Sequence, residues 1–424
     1  MSDYRKMWQD LGVNLEKHDE FLAPVPSLYG DLFVSQQNRP EGMKYFDFVM
    51  SEVHGLRVKE LLDMKDDPSK KVVGAFCVFV PEELVLATGG ACIGLCGGAQ
   101  YSVPIGEKVL PRAMCPLIKS SLGFKVGGVC PYFEVADFVV GETTCDGKKK
   151  AYEVLNEYHP TYVMELPQKR DQADKELWLK EVYAFKDKME AEAGKTITAE
   201  KLTAAVKLAN DRRRVLQRLY DARKVDPVPI SGKDAALITQ LAFFDDPARF
   251  TEKTTALCAE LEQRIEKGEG VFPKGAPRIL ITGTPMPLPS WKMHNIIESS
   301  GGVVVCEESC TGTRYFETLV DETPTTLPEQ MEALSQRALN INCACYTPNT
   351  GRIDDILRMV KEYNVDGVVY YSLQFCHTYG IEYRAAEKAL QQAGVPVIRI
   401  ETDYSDEDSG QLQTRIQAFL EMLK

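Results

Sequence analysis

The chain of 424 residues lacks any apolar run long enough to cross a bilayer. The longest, VVGAFCVFV from Val72, is stopped by Pro81-Glu82-Glu83, whereas a membrane helix needs about 20 apolar residues. The opening MSDYRKMWQDLG has no apolar h-region, so no signal peptide is read there. Positive charge is not in excess either. The net charge of −12 argues against nucleic acid or an anionic membrane as the main partner. Together these absences predict a cytoplasmic protein. ITGTPMPLPS, from Ile281, could pass for a phosphate loop, yet it lacks both G-x4-G-K-[ST] and a complete G-x-G-x-x-G. If ATP is involved, a partner is expected to bind it. Finally, no C-x2-C occurs, which disfavours a paired zinc site and a dithiol oxidoreductase.

What the chain does have is length for more than one core, with 44% hydrophobic and 26% charged residues typical of a globular protein. Residues 1–70 read as a helical, polar N-terminal extension. From 71 to 168 short apolar runs alternate with helical stretches: KVVGAFCVFV, FEVADFVVG and TYVMELP read as buried strands. Residues 169–272 show apolar positions at helical spacing and no strand signal, and their charges read as solvated faces. GEGVFPKGAPRILITGTP marks a linker into residues 273–424. That last stretch runs strand, helix, strand again through RILITG, GVVVCEE, VDGVVYYSLQF and VPVIRIET. The expected fold is α/β. Two doubly wound parallel-sheet domains of the Rossmann or flavodoxin-like kind flank a helical middle segment. Uncapped apolar stretches hint at a homodimer.

Twelve cysteines need an explanation in a reducing compartment, where structural disulfides are rare. Cys77, within an apolar run, and Cys258, on a helix, read as small core residues. The other ten stand beside Gly, Pro or Thr in turn-like sequence. Their intervals are C-x3-C (Cys92/Cys96 and Cys306/Cys310), C-x-C (Cys343/Cys345) and singletons. CIGLCGG lacks the third cysteine of a radical S-adenosylmethionine motif. Cys145, Cys310 and Cys376 follow predicted strand ends, where open α/β sheets bind ligands. Thiolates from distant loops can hold an iron–sulfur cluster, but spacing alone leaves that reading and free thiols both open.

MCPLIKSSLGF around Cys115, GETTCDGKKK around Cys145 and LQFCHTYGIEY around Cys376 resemble the three cysteine segments of the 2-hydroxyacyl-CoA dehydratase and benzoyl-CoA reductase family. The resemblance implies two α/β domains with a cluster between them, held by Cys115, Cys145 and Cys376. It also implies an ATP-dependent iron–sulfur reductase as the electron-donating partner, in an anaerobic setting. Extra segments, GLCGGAQY, EESCTGTRYF and INCACYTPNTGR, and FCHTYG in place of an FCDP-like segment, look closer to the double-cubane branch. There two cubanes joined by a sulfide (8Fe–9S) need about six thiolates. The implied six are Cys96, Cys115, Cys145, Cys310, Cys345 and Cys376, with Cys92, Cys130, Cys306 and Cys343 in reserve.

On that resemblance the chain is expected to reduce a small-molecule substrate at a buried cluster. The alternatives are (R)-2-hydroxyacyl-CoA dehydration with one 4Fe–4S cluster, and an electron store or scaffold without a substrate. His377 is the candidate proton donor, against an ordinary backbone hydrogen bond. Arg314 is a candidate partner for sulfide or a substrate anion, against a structural salt bridge. Glu308 and Glu142 are candidate proton relays, against capping roles. Lys148-Lys149-Lys150 places three cations in a first helical turn, where the dipole favours anions. That anomaly points to something anionic beside Cys145, or to docking of an acidic partner.

Overall fold

The computed structural model describes residues 4–423. Two parallel four-stranded sheets organise it. The first contains β1 (Val72–Ala75), β2 (Ala91–Gly94), β3 (Phe138–Glu142) and β4 (Thr161–Met164), in the order β2-β1-β3-β4. The second contains β5 (Arg278–Gly283), β6 (Val303–Glu308), β7 (Gly367–Leu373) and β8 (Val397–Thr402), in the order β6-β5-β7-β8. The two orders match position for position. In each sheet the winding reverses beside the first strand, which opens a crevice at the carboxyl ends.

β3, β5, β6 and β7 are buried along their whole length. That is why they read as nearly continuous apolar runs rather than alternating ones. Gly283 closes β5 at φ +141°, and a Cβ there would meet Tyr371 O at 1.8 Å, so only glycine fits between β5 and β7. The helices Leu15–Leu22, Met43–Ser51 and Leu56–Met64 build the N-terminal region. Gln172–Ala193, Ala199–Asp221, Gly232–Leu241 and Pro247–Glu266 build the middle.

Three details differ from the sequence reading. β1 ends at Ala75, so the run through Val80 is strand for only four residues and then a turn. FEVADFVVG divides into the end of a helix, Pro131–Val135, and β3. ACIG, unassigned from sequence, is the edge strand β2, too short and glycine-broken to show a period. A fourth difference concerns charge. Arg212 and Arg213 on the long middle helix are not solvated: both are buried, paired with Glu82 and Glu83.

Candidate functional site: a cysteine-lined cavity between the two sheets

The carboxyl ends of the two sheets face a shared cavity of about 1220 Å³. The Gly98 N–H donates to Leu288 O across the domains at 3.1 Å. From the first domain come Cys77 after β1, Cys92 on β2, Cys96 after β2, Cys115 and Cys145. From the second come Cys310 after β6, Cys343 and Cys345 ahead of the helix Thr350–Glu362, and Cys376 after β7. The matching strand orders give Cys96 and Cys310 equivalent places, and Cys145 and Cys376 equivalent places. Cys130 and Cys306 lie outside this cavity, as does Cys258.

Three of the thiols stand at helix N-caps. Cys115 opens Pro116–Gly127, Cys145 opens Asp146–Leu155 and Cys376 opens His377–Gln392. Unsatisfied N–H groups and the helix dipole favour negative charge at such positions. The Lys148 N–H already donates to Cys145 Sγ at 3.4 Å.

The thiols fall into two groups, each drawing on both domains. In one, the Cys115 and Cys376 thiols influence one another, and Cys145 lies close enough to feel the Cys376 charge. In the other, Cys77 interacts with Cys310 and Cys345 with Cys343, the two pairs feel one another electrostatically, and Cys343 Sγ lies 3.5 Å from the Tyr379 hydroxyl. The neighbouring Cys115 thiol brings the Cys376 thiol down to about 7, and the neighbouring Cys345 thiol lowers Cys343. Within each of these two pairs one thiol is thus pushed down and the other up. Cys96 turns away and donates to Phe76 O at 2.8 Å, and burial pushes it up to about 12.

Charged groups surround the second group. Arg314 is buried, with Nη1 3.6 Å from Cys310 Sγ and Nε 2.5 Å from Glu308 Oε1. Glu308 also receives Arg352 Nε and Nη2, both at 3.0 Å. Its carboxylate is therefore enclosed by two guanidinium groups, and neither Glu308 nor Arg314 lines the cavity. His377 does line it, as an exposed residue at its edge. Lys148 turns inward to line the cavity, 3.8 Å from the fully buried Glu142. Burial pushes Glu142 up to about 7, against the attraction of Lys148. Lys149, exposed at the cavity rim, pairs with Asp146, and Lys150 pairs with Glu153 outside. The triple lysine is thus one internal cation, one at the cavity rim and one outside.

Sequence reasoning missed Cys77, because an uninterrupted apolar run conceals where a strand stops. It also missed Glu82 and Arg212 on the cavity wall, whose partnership spans distant segments. Among the described residues no three His, Cys, Asp or Glu side chains gather tightly enough for a single metal ion. Nine thiols spread around one cavity fit instead a multi-iron cluster that brings its own bridging sulfides. Among the described residues no helix is long and apolar enough to cross a membrane.

The family model of 2-hydroxyglutaryl-CoA dehydratase, D-component, matches residues 77–423. A protein of Escherichia coli (strain K12) named as a dehydratase subunit, YjiM, is 42% identical over 355 residues, covering 83% of this chain and 91% of its own. The (R)-phenyllactyl-CoA dehydratase beta subunit of Clostridium sporogenes is 25% identical, covering 86% and 95%. One of the subunits of the benzoyl-CoA reductase of Thauera aromatica is 23% identical, covering 82% and 88%. With two matching parallel sheets and a cysteine-lined cleft between them, the chain belongs to the 2-hydroxyglutaryl-CoA dehydratase D-component family.

Proposed function

We propose that this chain is the electron-accepting iron–sulfur component of a reductase, with a double-cubane cluster (8Fe–9S) in the cavity between its sheets. The observation that carries the reading is the two groups of thiols, each drawn from both domains and facing one cavity. Cys115, Cys145 and Cys376 would hold one half. Cys77, Cys310 and Cys345 would hold the other, with Cys77 in the place expected for Cys96, because Cys77 interacts with Cys310 while Cys96 is turned to Phe76 O.

When bound, such a cluster supplies low-potential electrons to a small substrate. The chain does the rest. Helix N-termini at Cys115, Cys145 and Cys376 stabilise the thiolates, and Arg314 sets a positive charge against Cys310. Lys148 adds an internal cation on the opposite domain. His377, exposed on the cavity wall, is placed to give a proton to a bound substrate. At about 1220 Å³ the cavity exceeds common ligand pockets, leaving room for a small substrate beside a cluster. Electrons would come from a separate ATP-hydrolysing iron–sulfur reductase, so ATP enters only through that partner.

A second reading, (R)-2-hydroxyacyl-CoA dehydration with one 4Fe–4S cluster, draws support from Cys115, Cys145 and Cys376 forming a group of their own. It also agrees with the names of the relatives. Anaerobic purification with iron and sulfide counting separates the two: about eight irons per chain support the double cubane and about four the dehydratase cluster. Negligible iron would overturn both.

A further inference from the structure

A second, smaller cavity of about 60 Å³ abuts the cysteine-lined one. The two share Gly94, Cys96, Phe244 and Leu288, so Cys96 stands in the wall between them. Its far wall comes from the N-terminal region, through Phe21 and Val25 on helices and Val53 and His54 in a turn. These residues precede Cys77, where the family match begins. Rings form much of the rest. Phe21 meets Phe124 edge-on at 5.2 Å, and Tyr132 meets Phe244 at 5.0 Å between centroids.

The few polar groups are engaged elsewhere. Tyr132 OH donates to Val53 O at 2.6 Å, His54 Nδ1 contacts His18 Nε2 at 3.0 Å, and Cys96 donates to Phe76 O. Burial lowers His54 to about 3, so it presents no charge at neutral pH. A water molecule needs two to four polar partners to settle in a cavity, and apolar cavities without them stay dry and take up apolar guests. An ionic ligand would find no counter-charge here.

We infer that this cavity binds small, uncharged, apolar molecules of about two to four heavy atoms, a size set by its volume. Binding follows from the wall alone. The cavity's role as a side pocket supplying the cluster chamber past Cys96 rests on the function proposed above.

Xenon is the probe. Crystals of the full chain, pressurised with xenon, are expected to show an anomalous peak among Phe21, Phe124, Tyr132 and Phe244. Val53→Phe, which fills the space from a half-buried position, is expected to lose that peak while the unfolding temperature stays close to wild type. Val25→Phe serves if the first variant does not fold. Ordered water in the cavity, or xenon found only elsewhere, would overturn the site. This readout needs no iron, so it stands apart from the cluster assignment. In iron-loaded protein, Val25→Phe is expected to raise KM several-fold for a small apolar substrate at unchanged kcat and iron content. An unchanged KM would overturn the supply role.

Discussion

The thiols of Cys115 and Cys376 interact across the two domains, each at the N-cap of a long helix. Two helix N-termini thus face one cavity, which concentrates positive potential where sulfur sits. That arrangement sets the first prediction. Cys145→Ala and Cys376→Ala are expected to lose at least half of the bound iron in anaerobic preparations, with far-UV circular dichroism unchanged. Cys130→Ala and Cys306→Ala, outside the cavity, should keep their iron. Iron retained in Cys145→Ala would remove that residue from the ligand set.

Cys77 and Cys96 make competing claims on the second group. Cys77 interacts with Cys310, whereas Cys96 donates a hydrogen bond to Phe76 O. Iron counts on Cys77→Ala and Cys96→Ala decide between them. Cys77→Ala is expected to lose roughly the complement of one cubane, about four irons, and Cys96→Ala to stay near the parent value. The reverse result would restore Cys96.

These two residues also show what a sequence can reveal. Cys96 was visible because its neighbours Gly97 and Gly98 announce a turn. Cys77 lies in VVGAFCVFV, where nothing marks the end of a strand, because sheet pairing with β2 and β3 decides it. The buried strands themselves were legible, since strands covered on both faces remain apolar throughout. Arg212 and Arg213 were not, since a charge on a helix reads as solvated until its partner is known. Their partners, Glu82 and Glu83, belong to a helix of the first domain. The places of Arg314 and Glu308 were equally hidden, because Arg352 arrives from another helix to enclose the carboxylate.

Glu308 yields a stability prediction. Its carboxylate is buried between Arg314 and Arg352, and removing one partner of a buried ion pair leaves uncompensated charge. Glu308→Gln is expected to cost about 3–5 kcal/mol in urea unfolding of the metal-free protein. A Glu308→Gln variant of parent stability whose activity changes only in its pH profile would instead make Glu308 a proton relay.

Glu142 gives a pH signature of opposite character. Its carboxyl titrates near 4.5 ordinarily and is pushed up to about 7 in the fold by burial. Between those values the folded chain holds a proton that the unfolded chain has released. The resulting contribution to stability is full below pH 4.5 and is lost as pH rises through 7. The shift corresponds to about 3 kcal/mol across the window. Urea unfolding of the metal-free protein at pH 5 and pH 8 measures it. The Glu142→Gln variant, neutral at both, is expected to lack that part of the decline with pH, whatever its absolute stability. Equal declines in parent and variant would mean that Glu142 stays ionised against Lys148 throughout, and Lys148 would then offer the cavity a neutralised charge rather than a free one.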